Sequence, residues 1–177
     1  MSEFARPLRL DETGATPVVR AIEAGVDERL AISARLGLLS LDRLAARFRA
    51  WRVAGGLAVE GEVRADAAQA CGLTGLPVPA RVCEPVAVRF IAEAEPAGDE
   101  IELEANQLDT LPLEGGSVDL GELAVQTLAL ALPAFPRAEG PEAEAARAHL
   151  LTEEEAAALS EADRRAASPF ARLARGE

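Results

Sequence analysis

A chain of 177 residues, nearly half of them apolar, fits one domain with a real core, and wholesale disorder is excluded. Its net charge of −12 argues against nonspecific binding to nucleic acid, because attraction to phosphates carries that affinity. Two cysteines, one histidine and no tyrosine supply neither a disulfide framework nor a tetrahedral zinc site, and few platforms for stacking single-stranded bases.

No N-terminal stretch joins a basic start to an apolar run, so no signal peptide is read. The longest apolar run, Leu123–Phe135, is broken by Gln126 and Thr127 and is too short to span a bilayer. These features predict a cytoplasmic protein with no membrane partner. The charge is unevenly spread. Arg29, Arg35, Arg43, Arg47, Arg49 and Arg52 make one stretch basic, with Asp42 the only acid among them, whereas Phe90–Pro136 holds many acids and no base. Every basic residue is arginine, which is the better phosphate fork, but a genome rich in G and C would also replace lysine by arginine, and that compositional cause is the favoured reading.

In chain order, Phe4–Arg9 reads as a short edge strand, with Pro7 tolerated at an edge, and Thr13–Pro17 as a turn. Val18–Ala24 fits either a strand or the start of a helix. Asp27–Leu36 reads as a helix ended by Gly37, with Leu30 and Ala34 inward. Ser40 is expected to cap a second helix, Leu41–Phe48, with Leu41, Leu44 and Phe48 on one face and Arg43 and Arg47 on the other. A strand from Trp51 reaches the hairpin signal Gly55-Gly56. Leu57–Ala67 then alternates apolar residues with Glu60, Glu62, Arg64 and Asp66, the pattern of a half-wet strand. Cys71–Pro77 is a turn, and Val78–Phe90 a further alternating strand whose Glu84 falls on the inner side, which predicts a bulge or break near Glu84-Pro85. Pro96–Asp99 reads as a turn, Ile101–Glu104 as a short strand, and Leu108–Gly116 as loop with a possible edge pairing.

The strongest helix signal is Ser117–Phe135. Leu120, Leu123, Ala124, Thr127, Leu128 and Ala131 form one stripe, widened by Leu130 and Leu132. Asp119 caps the start, Glu122 completes a capping-box pattern, and Pro133 ends the helix. Gly121 weakens its first turn by roughly 1 kcal/mol against alanine. Arg137–Ala148 has the composition of a mobile linker. Thr152–Ala167 is helix-prone with a Thr152/Glu155 box, and Phe170 and Leu173 form a small apolar hook. The expected architecture is α+β: a mainly antiparallel, curved sheet or partly closed barrel covered by helices near 27–48 and 119–132. Residues 1–136 form the core domain, and 137–177 a linker, short helix and hook.

Three motifs stand in order. Gln69-Ala-Cys71 is followed closely by Thr74. Asp119-Leu-Gly-Glu122 runs on to Leu128-Ala-Leu-Ala-Leu-Pro133, with Leu130, Leu132 and Pro133 in its ending. Ser168-Pro169-Phe170-Ala-Arg-Leu173 closes the chain. Together they resemble the bacterial YceD-like family, named for large ribosomal RNA subunit accumulation, over most of Leu57–Pro136 and the C-terminal motif. The family pattern has Cys-x-x-Cys at the hairpin and asparagine before the terminal Pro-Phe. Here Thr74 replaces the second cysteine, Ser168 the asparagine, and Cys83 matches nothing in the pattern, so no metal role is carried over. The resemblance implies a non-enzymatic role in accumulation or processing of 23S ribosomal RNA.

For partners, Arg43, Arg47, Arg49 and Arg52 are candidates for RNA phosphates, against a solvated face or arginines paired with the acidic half of the domain. The acidic stretch Glu93–Glu122 suits a basic ribosomal or processing protein. An acidic interaction module outside ribosome assembly is the alternative function. Cys71 with His149 makes no evident catalytic pair, so an enzyme, a cofactor and a small-molecule substrate are not expected. The cysteines are expected as thiols, and Ser168–Leu173 as a hook on the core or a docking motif.

Overall fold

The structure, a computed structural model, describes residues 2–92, 109–113 and 115–167. Its body is an antiparallel meander of three long strands: β3 (Ser40–Val53), β4 (Gly56–Ala70) and β5 (Pro77–Ile91). Two-residue periodicity sorts them cleanly. Leu44, Ala46, Phe48 and Ala50 of β3, Leu57, Val59, Val63 and Ala65 of β4, and Val82, Val86, Val88 and Phe90 of β5 are buried together. β2 (Val18–Glu23) joins along β3, which decides the open choice at 18–24 for a strand. β6 (Asp109–Pro112) joins β5 in parallel, giving the order β2-β3-β4-β5-β6. The sheet is open, with β2 and β6 as edges, so the barrel closure considered from the sequence is not found among the described residues. The α+β class holds. A separate pair, β1 (Pro7–Arg9) with β7 (Ser117–Asp119), ties the N-terminus to the chain ahead of the main helix.

Where the sequence predicts a helix over Leu41–Phe48, the chain is strand. The reason is the irregularity between Leu41 and Arg43. A bulge adds one residue to the count, so Leu41 and Leu44 both turn inward, and two ordinary alternations later Phe48 does too. A 3-then-4 spacing thus arises in a bulged strand and imitates a helix face. β5 departs from expectation in the opposite way: its pairing with β4 runs unbroken through Val63–Glu84. Glu84 needs no bulge because it is exposed, opening onto a groove it lines with Thr127 and Leu130.

Two helices put their buried side chains into the same core. α1 (Val26–Leu36) ends at Gly37, whose φ of 65° suits glycine. It turns Ile32 inward rather than Leu30, which is 65% exposed, or Ala34. Polar contacts at the helical neighbours of Ile32 fix that rotation: Glu28 salt-bridges Arg6, Arg29 donates to the Ala24 carbonyl, and Arg35 reaches Glu3 and Glu122. α2 (Leu120–Ala131) buries Leu120, Leu123, Ala124, Val125 and Leu128. Leu132 packs partly against this core, but Leu130 is 88% exposed and does not widen the stripe.

The Asp119 carboxylate accepts from the N–H groups of Gly121 (2.9 Å), Glu122 (3.2 Å) and Arg6 (2.8 Å). Glu122 does not return the bond as a capping box would. It takes Arg35 at 2.7 and 2.8 Å, and that guanidinium holds its carboxyl down to about 2.

The stretch read as a linker contains α3 (Pro141–Arg147), with Ala138 and Ala143 buried beside Cys71. α4 (Glu153–Ala167) follows behind the expected Thr152/Glu155 box, and its described side chains are exposed. No described helix is long and apolar enough to cross a membrane. The turn at 96–99, the strand at 101–104 and the hook with Pro169 and Phe170 lie outside the described residues.

Helix propensity alone makes Gly121→Ala stabilising by about 1 kcal/mol. A Cβ there would sit 1.6 Å from the Phe4 carbonyl oxygen, so the expected result is a loss of about 1–3 kcal/mol in denaturant unfolding. Glu122→Gln should cost about 1 kcal/mol at neutral pH, the pair being partly exposed. Because the folded carboxyl titrates below the unfolded one, this contribution is present above the ordinary carboxylate range and fades as pH falls toward about 2. The gap between wild type and Glu122→Gln in acid-unfolding curves should close over that window.

Candidate nucleic-acid interface

The side chains alternating away from the core form the sheet's outer face. Cross-strand register sets them in rows. Arg49 stands opposite Glu60 and Glu60 opposite Ala87; Arg47, Glu62 and Pro85 make the next row, then Ala45, Arg64 and Cys83, then Arg43, Asp66 and Arg81. Trp51, Ala58 and Arg89 form the row at the other end, and Val19, Ala21 and Glu23 border the face on β2. Arg43, Arg47, Arg49, Arg64, Arg81 and Arg89 are all exposed, against Glu23, Glu60, Glu62 and Asp66, with Asp42 exposed at the bulge. In an acidic chain this face is net basic.

Two of these arginines are engaged within the face, Arg64 with Glu62 and Arg81 with Asp66. Arg43, Arg47, Arg49 and Arg89 form no salt bridge among the described residues. Arg43, Arg47 and Arg64 also line a shallow depression of about 450 Å³ with Ala21, Glu23 and Glu62. An open basic surface with a wet floor can hold phosphate oxygens through bidentate guanidinium contacts.

The sequence candidates therefore divide. Arg43, Arg47 and Arg49 share the outer face, though as alternate residues of a strand and not as a helix pair. Arg52 has the opposite parity. Its backbone N–H donates to the Gly14 carbonyl at 2.8 Å and its guanidinium to the Leu10 carbonyl at 2.5 Å, which clamps the 10–14 loop to β3. Arg64, Arg81, Arg89 and Trp51 were missed as members of one surface. The signal was present in the alternation of β4 and β5, but it becomes a patch only once the register sets three strands side by side.

The described family-motif positions lie in other elements: Asp119 caps the start of α2, and Leu130, Leu132 and Pro133 stand at its end. Cys71 and Thr74 lie in the β4–β5 turn, where the Cys71 N–H donates to the Leu76 carbonyl at 2.7 Å and Gly72 to Pro136 at 3.0 Å. Gln69 donates to the carbonyl of Pro133 at 3.0 Å. The hairpin end thus grips the chain leaving α2. Both cysteines are free: Cys71 is buried, Cys83 exposed beside Glu62. His149 is exposed after α3.

The Ala138 N–H, 3.3 Å from Cys71 Sγ, leads a set of donors with the Thr74 hydroxyl and the Leu73 and Thr74 N–H groups. These hold the Cys71 thiol down to about 6, whereas Glu62 pushes the Cys83 thiol up. Thiolate absorbance should therefore rise in two steps, the lower one absent in Cys71→Ser and kept in Cys83→Ser. Since the folded Cys71 thiol ionises more readily than the unfolded one, its contribution to stability is full above the unfolded thiol range and is lost as pH falls through about 6.

No curated protein and no solved structure matches the chain. One family model does, over residues 59–175, well over half of the sequence, and it spans β4, the Cys71 turn, β5, α2 and the C-terminal arm. The chain belongs to the family of the large ribosomal RNA subunit accumulation protein YceD.

Proposed function

We propose that this protein supports the accumulation of large-subunit ribosomal RNA by binding RNA, without catalysis, through the outer face of its sheet. The family description supplies the process. The observation that carries the mechanism is the net basic outer face, with Arg43, Arg47, Arg49 and Arg89 unpaired among the described residues, on a chain of net charge −12. Chance placement on so acidic a chain favours acids on any solvent face. Guanidinium groups left without carboxylate partners are the ones that gain most from phosphate.

The test is sedimentation of the tagged protein in cell lysate, with and without ribonuclease and at two salt concentrations. The expected result is travel with large-subunit precursors, release by ribonuclease and dissociation at high salt. Arg47→Gln and Arg49→Gln should each weaken binding to RNA and reduce the log–log salt slope by roughly 0.7–0.9 for each phosphate that the variant no longer holds. Sedimentation at the top of the gradient in every condition, or variants with an unchanged slope, would overturn the reading. Co-sedimentation that survives ribonuclease would point instead to a protein partner.

A further inference from the structure

The row Trp51–Ala58–Arg89 differs from the others on the outer face. By alternation Ala58 belongs to the solvent side, yet it is 1% exposed. Alanine has no reach with which to bury itself. The long side chains of its row are Trp51 on β3, which is half-buried, and Arg89 on β5, which is exposed. Arg49 stands two residues back on the same strand, about 6.6 Å along it, and Arg89 two strands across, on the order of 10 Å away. Neither has a salt-bridge partner among the described residues.

We infer that Trp51 is a stacking platform for one unpaired base, with Arg49 and Arg89 holding the phosphates on either side, so that this face takes single-stranded RNA in preference to duplex. The inference rests on the RNA-binding reading and deepens it. An indole on a basic face offers a π surface to any base, and every base has a complementary one. Bases within a duplex are already stacked, and reaching the ring would require them to leave the stack. The two arginines suit an anionic partner, and the aromatic ring between them favours a nucleotide over a bare phosphate or an acidic peptide.

Trp51 is the single tryptophan, and the chain has no tyrosine, so intrinsic emission reports this ring alone. The protein is titrated at low salt with oligouridylate and with an RNA duplex of equal phosphate concentration. The expected result is saturable quenching by the single strand and weaker binding of the duplex. Trp51→Leu, which keeps an apolar side chain there, should bind about 5- to 150-fold more weakly, whereas Trp51→Phe keeps most of the affinity. Thermal melting checks that both variants fold. If the single strand binds and Arg49→Gln weakens it while Trp51 emission is unmoved and Trp51→Leu binds like wild type, the stacking role is overturned and the RNA-binding reading stands. Equal binding of duplex and single strand overturns the selectivity. Binding of neither overturns both readings together.

Discussion

Three strands of 14 and 15 residues run side by side through almost unbroken registers, and the rest of the molecule follows from what that pairing does to their side chains. A period of two sends each strand's apolar set to one side only. The inner side must then be covered, and α1, α2 and the N-terminal arm all go there. Glycines make the approach possible. Gly61 stands opposite Phe48, where a Cβ would lie 2.8 Å from the ring and 2.2 Å from the Arg47 carbonyl oxygen. A side chain at that point would push β3 and β4 apart beneath the Arg47–Glu62 row.

The same division sorts the arginines. Several away from the outer face are joined to acids, Arg6 to Glu28, Arg9 to Asp11, Arg20 to Glu12, and Arg35 to Glu3 and Glu122, while Arg29 and Arg52 hold backbone carbonyls. Several of these pairs link segments far apart in sequence, and Asp119 adds a link from the N-terminal arm to α2 through backbone donors. They fix how the covering layer sits. On the outer face Arg64 and Arg81 pair within the sheet, and Arg43, Arg47, Arg49 and Arg89 form no salt bridge among the described residues.

Much of this is legible in the sequence. Strand β4 is evident from its alternation, and α2 from its stripe, its Asp119 cap and Pro133, because each signal is local and uninterrupted. The Leu41–Phe48 stretch misleads because a single bulge changes the phase of a strand, and 3-then-4 spacing carries no mark of its origin. Leu30 and Leu130 enter the expected core on apolarity alone. Helix rotation is decided by partners elsewhere in the chain, Arg6 and Glu122 for α1, and on α2 Leu130 is left lining a groove with Val86 and Leu111. Arg43, Arg47 and Arg49 stand out in the sequence for the right charge and the wrong geometry. Arg64, Arg81, Arg89 and Trp51 join them only through register, which is a property of pairs of strands and not of any one of them.

Net charge gives a poor account of such a molecule. The value of −12 sums a surplus of acid in the 93–122 and 139–163 stretches with a face whose balance runs the other way. An approaching polyanion responds to charges within a Debye length, about 8 Å at physiological ionic strength, and so to the rows of the outer face before the total. On the helical side Glu3, Asp11, Glu12, Glu28 and Glu122 are paired with Arg6, Arg9, Arg20 and Arg35. The remaining acid then acts as a filter. In the proposed RNA-binding role it raises the cost of loose, nonspecific association, so that local guanidinium contacts must outweigh the repulsion of the whole.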